Sequence, residues 1–477
     1  MPVDTKHPDY IAALPKWAKC RDAVKGEEAV HAKGQTYLPK LSGQSDEAYE
    51  AYKQRAGFYN GTGRTLEVLT GLVFRRPPTI DLPSGMESVQ ADADMSGTPL
   101  LTMCEKTADE LLQVGRFGLL VDYPTQQNEP LTVGQAEARG LRPFMALYTA
   151  EAIINWSTGR VGNQTTLTQV VLAESVEVRK DEFTVECKAQ YRVLDLFEGR
   201  YRVRLFRPDL AQNVAISEIF PLMNGRPMGF IPFVICNPTG ISWQVSKPPL
   251  LDLVNINMSH YRGTADYEHG LHYTGLPTAW ITGHASQGVN EDGTAASETW
   301  SIGSGEAWVI PEEGAKVGFL EFQGAGLSQL KDSLDGKVQM MSTLGARMLM
   351  QEKRQAEAAE TASIYRAGEN SVLASVANAA SSALTRALEW MRDWMGQSGE
   401  VSARLNTDFL PTGLTAQDIT ALVSAWMQGA ISWETLFDNL VRGEVVADGS
   451  TADEERARID AGAPSLAPST AAPPAAE

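Results

Sequence analysis

PLLDLVNINMSHYRGTADYEHGLHYTG (residues 249–275), LSQLKDSLDGKVQMMSTLGARM (327–348) and QEKRQAEAAET (351–361) decide the fold of this chain. In the first segment Leu250, Leu251, Leu253, Val254, Ile256, Met258 and Tyr261 supply a helical face. Ser246 is the expected N-cap, and Pro248 falls where a missing N–H costs nothing. Gly275 and Pro277 stop the helix. The second segment places Leu327, Leu330, Leu334, Val338, Met341, Gly345 and Met348 at steps of three and four, one continuous stripe. Between the two, short strand-like runs contain Trp280, Trp300 and Trp308, separated by the polar loop 283–297. After the polar interruption, an Ala-rich helix from about Thr361 to Met395 carries Val372, Val376, Ala379, Ala383, Ala387, Trp390 and Trp394 on one face. At 1.5 Å per residue it would reach about 50 Å. Two helices bracketing a small β unit read as a stalk with a tip.

The chain has 477 residues, which predicts two to four structural regions rather than one core. No run of eighteen apolar residues occurs, and the N-terminus MPVDTKHPDY lacks a basic and an apolar signal region, so neither a membrane span nor classical secretion is expected. Cys20, Cys104, Cys187 and Cys236 are scattered, without a C-x-x-C pair, which argues against a disulfide framework or a zinc site and fits a reducing compartment. The net charge of −18 disfavours tight, static nucleic-acid binding, because affinity for phosphate comes from Lys and Arg releasing counterions. An acidic wall past which DNA slides is compatible with that charge.

Working outward, residues 1–75 read as mainly helical, with amphipathic segments at 46–58 and 64–74 on either side of a loop at Gly61 and Gly63. Arg75-Arg76-Pro77-Pro78 ends that region. A helix over 100–114 leads through Gly115-Arg116-Phe117-Gly118 into the strand Leu119-Leu120-Val121. From 150 to 206 the pattern alternates, and Glu198-Gly199 marks a hairpin turn inside an antiparallel meander. The run 230–235 is apolar. Past the Ala-rich helix, a strand at 401–409 precedes two short helices, the first opening at Thr415 with Asp418 three residues on, the second at Ser432. The Ala/Pro/Ser-rich end is expected to be disordered.

No catalytic constellation stands out. Gly61-Thr62-Gly63 lacks a Walker lysine and reads as turn chemistry rather than a phosphate loop. His269 and His272 share a helical face as metal ligands would, yet HExxH is absent and the glycines nearby favour a polar helix end. The helix pair from 415 to 440 resembles a DNA-reading unit in outline, but residues 411–461 hold nine acids against three bases, the wrong sign. Arg75 and Arg76 read as solvated arginines before a turn, with partner or phosphate contact as the alternative. Met340, Met341, Met348 and Met350 read as adaptable packing material. The segment 351–360, with Glu352, Lys353, Arg354, Gln355, Glu357 and Glu360, is either a solvated helical turn or a mobile loop facing a water-filled channel.

Laid out in this order, the chain resembles the portal proteins of tailed bacteriophages. The echoes are Phe58-Tyr59-Asn60 leading to residues 65–74, residues 115–124, Glu360-Thr361-Ala362, and Gly429 to Thr435; each is weak alone, and their order carries the resemblance. It implies an α+β, portal-type fold: an α/β wing (1–245), stem helices (246–275 and 326–350) flanking a small β-containing clip (276–325) marked by Trp280, Trp300 and Trp308, a tunnel loop (351–361) facing DNA, a long wing helix and strand (362–410), a helical crown (411–460) and a disordered tail (461–477). It further implies a non-enzymatic subunit without cofactor, in a homo-oligomeric ring of twelve at one capsid vertex of the virion, assembled in the host cytoplasm. Its partners would be double-stranded DNA in the channel, the terminase large subunit, head-tail connector proteins, and capsid and scaffold proteins, with no membrane. The other function classes are a head-tail adaptor or minor capsid protein, and a metal-dependent nuclease or hydrolase using His269 and His272.

Overall fold

A 23-residue helix rich in alanine lies at the centre of the core, with Leu373, Val376, Ala377, Ala380, Ala383, Leu384, Ala387, Leu388 and Met391 almost wholly shielded from solvent. The computed structural model describes residues 2–124, 140–210, 214–275, 278–283, 313–320, 325–348, 371–409, 416–443, 445–446 and 451–462. In chain order the N-terminal region holds α1 (Pro8–Lys25), α2 (Glu27–Ala32), α3 (Asp46–Arg55), α4 (Gly61–Val73), β1 (Thr79–Asp81), α5 (Glu87–Ala91) and α6 (Leu100–Val114). Strands follow: β2 (Phe117–Asp122), β3 (Phe144–Thr149), β4 (Ile153–Val161), β5 (Gln164–Arg179), β6 (Val185–Phe197), β7 (Arg200–Phe206), β8 (Ala215–Ile219), the short β9 (Leu222–Met223) and β10 (Arg226–Pro227), β11 (Phe233–Asn237) and β12 (Gly240–Ile241). The remainder is α7 (Leu251–Gly275), β13 (Thr278–Thr282), β14 (Lys316–Leu320), α8 (Ala325–Arg347), the central α9 (Val372–Trp394), β15 (Ser402–Arg404), α10 (Ala416–Met427), α11 (Trp433–Arg442) and α12 (Ala452–Gly462). The architecture is α+β, as expected.

Two antiparallel sheets flank the core. One has the order β12-β11-β2-β3, and α9 crosses it while also packing on α6; its alanines let backbone and sheet approach closely. The other is the meander β4-β5-β6-β7-β8, whose β6–β7 turn falls at Glu198-Gly199 as the sequence indicates. Both turn residues have positive φ (51° and 76°), the pair that a two-residue hairpin with native twist requires. Arg192 joins the sheets: its guanidinium meets Glu174 at 2.7 Å within the meander and Asp122 of β2 at 3.2 Å. Arg21 does the same for helices, bridging Glu110 of α6 and Glu151. Gly115 ends α6 in the left-handed region (φ 71°), which is why the Gly-Arg-Phe-Gly sequence can reverse directly into β2.

Several expectations are corrected. The central helix begins at Val372, because the Ser371 side chain caps it by accepting from Ala374 N, so it spans about 35 Å instead of 50 Å; residues 361–370, with the Glu360-Thr361-Ala362 echo, lie outside the described residues. Gly61 and Gly63 are not a loop but the first turn of α4, capped by Asn60, whose side chain accepts from Gly63 N at 2.8 Å. Ser246 is not the cap of α7, since its hydroxyl reaches Gly115 O (3.3 Å); the double proline instead leads into a helix whose first turn bonds Leu251 N to Pro248 O. Arg75 and Arg76 are partly buried and ion-paired instead of fully solvated. Pairing of β1 with β15 carries Asp408 beside them, at 3.8 and 3.5 Å from the two guanidinium groups. The strand at 401–409 shortens to Ser402–Arg404, the residues that pair with β1. Helix α12 was not anticipated. Among the described residues no helix is long and apolar enough to cross a membrane.

Candidate functional site

The antiparallel pair α7–α8 with the β13–β14 hairpin at its far end is the unit to which the sequence assigned function. Its base is locked into the core by the first half of α7, where Leu250, Leu253, Val254, Met258, Tyr261 and Ala265 are buried. On that same apolar face sits Asn257, with no exposed surface. Its carbonyl oxygen accepts from Thr62 N (3.0 Å) and from the Thr62 hydroxyl (2.8 Å), while its amide donates to Tyr59 O (2.8 Å). The first amides of a helix have no intrahelical acceptor. Asn257 therefore caps α4 from another helix, and together with the Asn60 cap it satisfies the first amides of the Gly-Thr-Gly turn. Its signal was present in the sequence as a polar residue interrupting an apolar face, without a stated partner.

Higher on the unit, the Tyr52 hydroxyl of α3 donates to Asp266 (2.6 Å); burial, then the neighbouring carboxylate, raise the phenol's pKa. Past Ala265 no described residue of α7 is buried. Around and beyond this point the two helices hold each other by close approach. A Cβ on Gly263 would lie 3.1 Å from Leu334 Cδ2, and one on Gly270 would lie 2.6 Å from Leu327 Cδ2. These glycines, seven residues apart, accept the leucines of the α8 stripe, and Lys337 Nζ donates to Ser259 O across the pair (3.3 Å). Lower down, Met341 and Gly345 of α8 rest on Gly61 and Thr65 of α4. The stripe is the one read from the sequence; Leu334, Met341 and Met348 are buried, whereas Met340 is 57% exposed and Met350 lies outside the described residues.

At the tip, β13 and β14 pair antiparallel from Thr278↔Leu320 to Thr282↔Lys316. Trp280 stands opposite Gly318 with its indole laid across that residue, and is 39% exposed. Trp300 and Trp308, and the tunnel-loop residues Glu352, Lys353, Arg354, Gln355, Glu357 and Glu360, lie outside the described residues. The described residues on either side of the tunnel-loop residues are joined: Leu373 N donates to Met348 O at 3.1 Å, and both residues are buried.

His272 packs its ring edge-on against Tyr273, and so does His269. The His269 ring also packs edge-on against Tyr52, and burial followed by the nearby Arg55 holds it below its ordinary pKa. Among the described residues no group of three His, Cys, Asp or Glu is placed to hold a metal ion. Cys20, Cys104 and Cys236 are buried and free, their thiols pushed up to about 12 mainly by burial; Cys187 is free and exposed.

Residues 249–395 match the family model of a domain of unknown function, DUF4055. The matched segment runs from the foot of α7 through the tip and α8 to the end of α9, the same stretch that decides the fold. No curated protein matches the chain. Among solved structures, a chain of the neck of the native gene transfer agent particle, computed with C12 symmetry, aligns at 12% identity over 88% of this chain and 99% of its own, with a TM-score of 0.39. A chain of the native gene transfer agent virion aligns at 12% identity over 85% and 94%, TM-score 0.37. One from the neck of the empty particle, computed with C6 symmetry, aligns at 13% over 88% and 99%, TM-score 0.36. TM-scores below 0.5 do not establish a common fold.

Proposed function

We propose that this chain is a portal subunit: a non-enzymatic protein that closes with its copies, twelve in the resembled family, into a ring around a DNA channel at one capsid vertex of a virion. In this reading α7 and α8 form the stem, residues 276–325 the clip that meets head-tail connector proteins, 351–361 the loop that faces DNA, and 411–460 the crown, and the ring as a whole docks the terminase large subunit. The observation that carries it is the two-helix stem with its exposed apolar tip. Leu271, Tyr273, Trp280, Val317 and Phe319 are each 38–53% exposed there. Apolar surface clustered in this way marks an interaction site. Neighbouring stems side by side around an axis would cover it, and a heterologous contact of that kind closes into a ring.

Other features support the reading. The bond between Leu373 and Met348 ties together the two chain ends between which the proposed DNA-facing loop would lie. The charge of −18 gives a channel wall few fixed cations, so duplex can pass without releasing many counterions or settling into deep minima. Electron microscopy of the purified chain, over a range of concentration and ionic strength, is the test. Rings with an opening wide enough for B-form duplex are expected. A compact monomer under every condition, or particles without a hole, overturns the proposal.

A further inference from the structure

Two features at opposite ends of β5 are complementary to each other, and neither is satisfied within one chain. At one end the β5–β6 hairpin, paired without irregularity from Gln169↔Asp195 to Arg179↔Val185, projects a tip at residues 180–184. Phe183 on that tip is 89% exposed, the most exposed large apolar residue among those described. The tip is not slack. Asp181 accepts from both Phe183 N (2.9 Å) and Thr184 N (2.8 Å), and Lys180 pairs with Glu186 at 2.9 Å. Such a turn holds the phenyl ring outward before any partner arrives.

At the other end Thr165, Thr166 and Leu167 form one wall of an apolar groove of about 610 Å³. Its floor and far wall include Phe230, Ile241, Trp243 and Trp390. The Phe230 and Trp390 rings meet at 5.5 Å, tilted by 32°, and Ile241 is 48% exposed. The rim is basic. Arg386 lines it while paired to Glu389 of its own helix at 3.2 Å, and the exposed Arg160 stands opposite Thr165 in the β4–β5 register. The hairpin tip brings Asp181 and Glu182 beside Phe183, so the charges match as well as the apolar surfaces.

We infer that the Phe183 hairpin of one subunit inserts into the β5–β11–α9 groove of the next copy, a head-to-tail contact that repeats around the assembly. The occupant is a second copy because knob and hole lie on the same strand, roughly 45 Å apart at about 3.3 Å per residue, so one chain cannot bring its own pair together. A contact between two different patches of identical subunits is heterologous, and it propagates around a ring when the rotation closes. Burying an aromatic side chain removes about 150–250 Å² from water. The inference rests on the ring proposed above and assigns one of its interfaces.

The test places cysteines beside the knob and in the hole, leaving Phe183 in place: Thr184→Cys with Ile241→Cys, in a Cys187→Ser background. A short bis-maleimide should give a ladder on a denaturing gel that rises from dimer to the ring number, and Phe183→Asp in the same background should abolish it. Separately, Phe183→Ala should raise the protein concentration needed for assembly by about tenfold or more, with Phe183→Trp restoring it. Because Phe183 is so exposed, these changes leave the subunit fold intact, which circular dichroism verifies. Rings that form without a ladder, crosslinking that stops at dimer, or Phe183→Asp assembling as the parent does would overturn this contact and leave the ring standing. Absence of rings from the parent protein would overturn both.

Discussion

Replacing Asn257 by alanine tests the anchoring of α7 most directly. The substitution removes the acceptor shared by Thr62 N and the Thr62 hydroxyl, and the donor to Tyr59 O. Tyr59 O keeps another donor, Gly61 N at 2.8 Å, and a hydroxyl can rotate to a new acceptor. The amide of Thr62 cannot move, since it lies in the first turn of α4 at a residue with no exposed surface. Leaving one buried donor unpaired costs about 1–3 kcal/mol, and truncating a buried side chain adds to that, for roughly 2–3 kcal/mol in all. A loss of that size raises the local opening equilibrium about thirty- to a hundred-and-sixtyfold. Hydrogen exchange followed by mass spectrometry on peptides covering residues 58–74 reads this directly, with faster exchange expected in the first turns of α4 and in α7 opposite. Thr62→Val, which keeps the amide bond and loses only the hydroxyl, should cost distinctly less. Unchanged protection of residues 61–66 in Asn257→Ala would refute the claim that α7 caps α4.

Gly270→Val should drive the two stem helices apart, because its Cβ would lie 2.6 Å from Leu327 Cδ2; overpacking of this kind costs about 1–3 kcal/mol, and a melting temperature equal to the parent's would count against close approach as the bond between the helices. Lys353→Glu combined with Arg354→Glu should impair DNA packaging or retention while rings still form by microscopy, and collapse of the ring would place these residues at a subunit contact instead. Glu174 gives a pH test. Burial pushes its carboxyl up, but Arg192 and hydrogen bonds from Arg192, Tyr148 and Gln190 outweigh that and leave its pKa lowered. Its contribution is thus present above the unfolded value, about 4.3, and is lost as pH falls through the folded value. Asp122, in the same network, is shifted upward by burial and works in the opposite sense. The measurement is therefore the difference between parent and Glu174→Gln in urea midpoint, expected to be largest near neutral pH and to shrink below about pH 4; a difference independent of pH would exclude the ion pair as its source.

Periodicity made much of this fold legible. The α8 stripe, the α6 helix, the meander and its Glu198-Gly199 turn depend on side chains that repeat at 3.6 or 2 residues, or on local turn chemistry, and both signals survive in a bare sequence. Ends of elements were less legible because capping partners come from anywhere. The Thr62 amide finds its acceptor on Asn257, almost two hundred residues away, and Arg75 and Arg76 meet Asp408, which reaches them only through β1–β15 pairing. The Trp280 side of the tip was legible as a strand, but what it lies across, Gly318, required the register.

By itself, then, the sequence determined the class of architecture, the helix–β–helix order from 249 to 348, the acidic balance and the lack of a catalytic motif. Tertiary structure alone decided how α7 is fastened to α4, how Gly263 and Gly270 receive the leucines of α8, and that Phe183 and an apolar groove stand at opposite ends of one strand. The reason is physical: amphipathic period and turn propensity are properties of neighbouring residues. Caps, buried ion pairs and complementary surfaces are properties of distances between residues that the chain brings together only on folding.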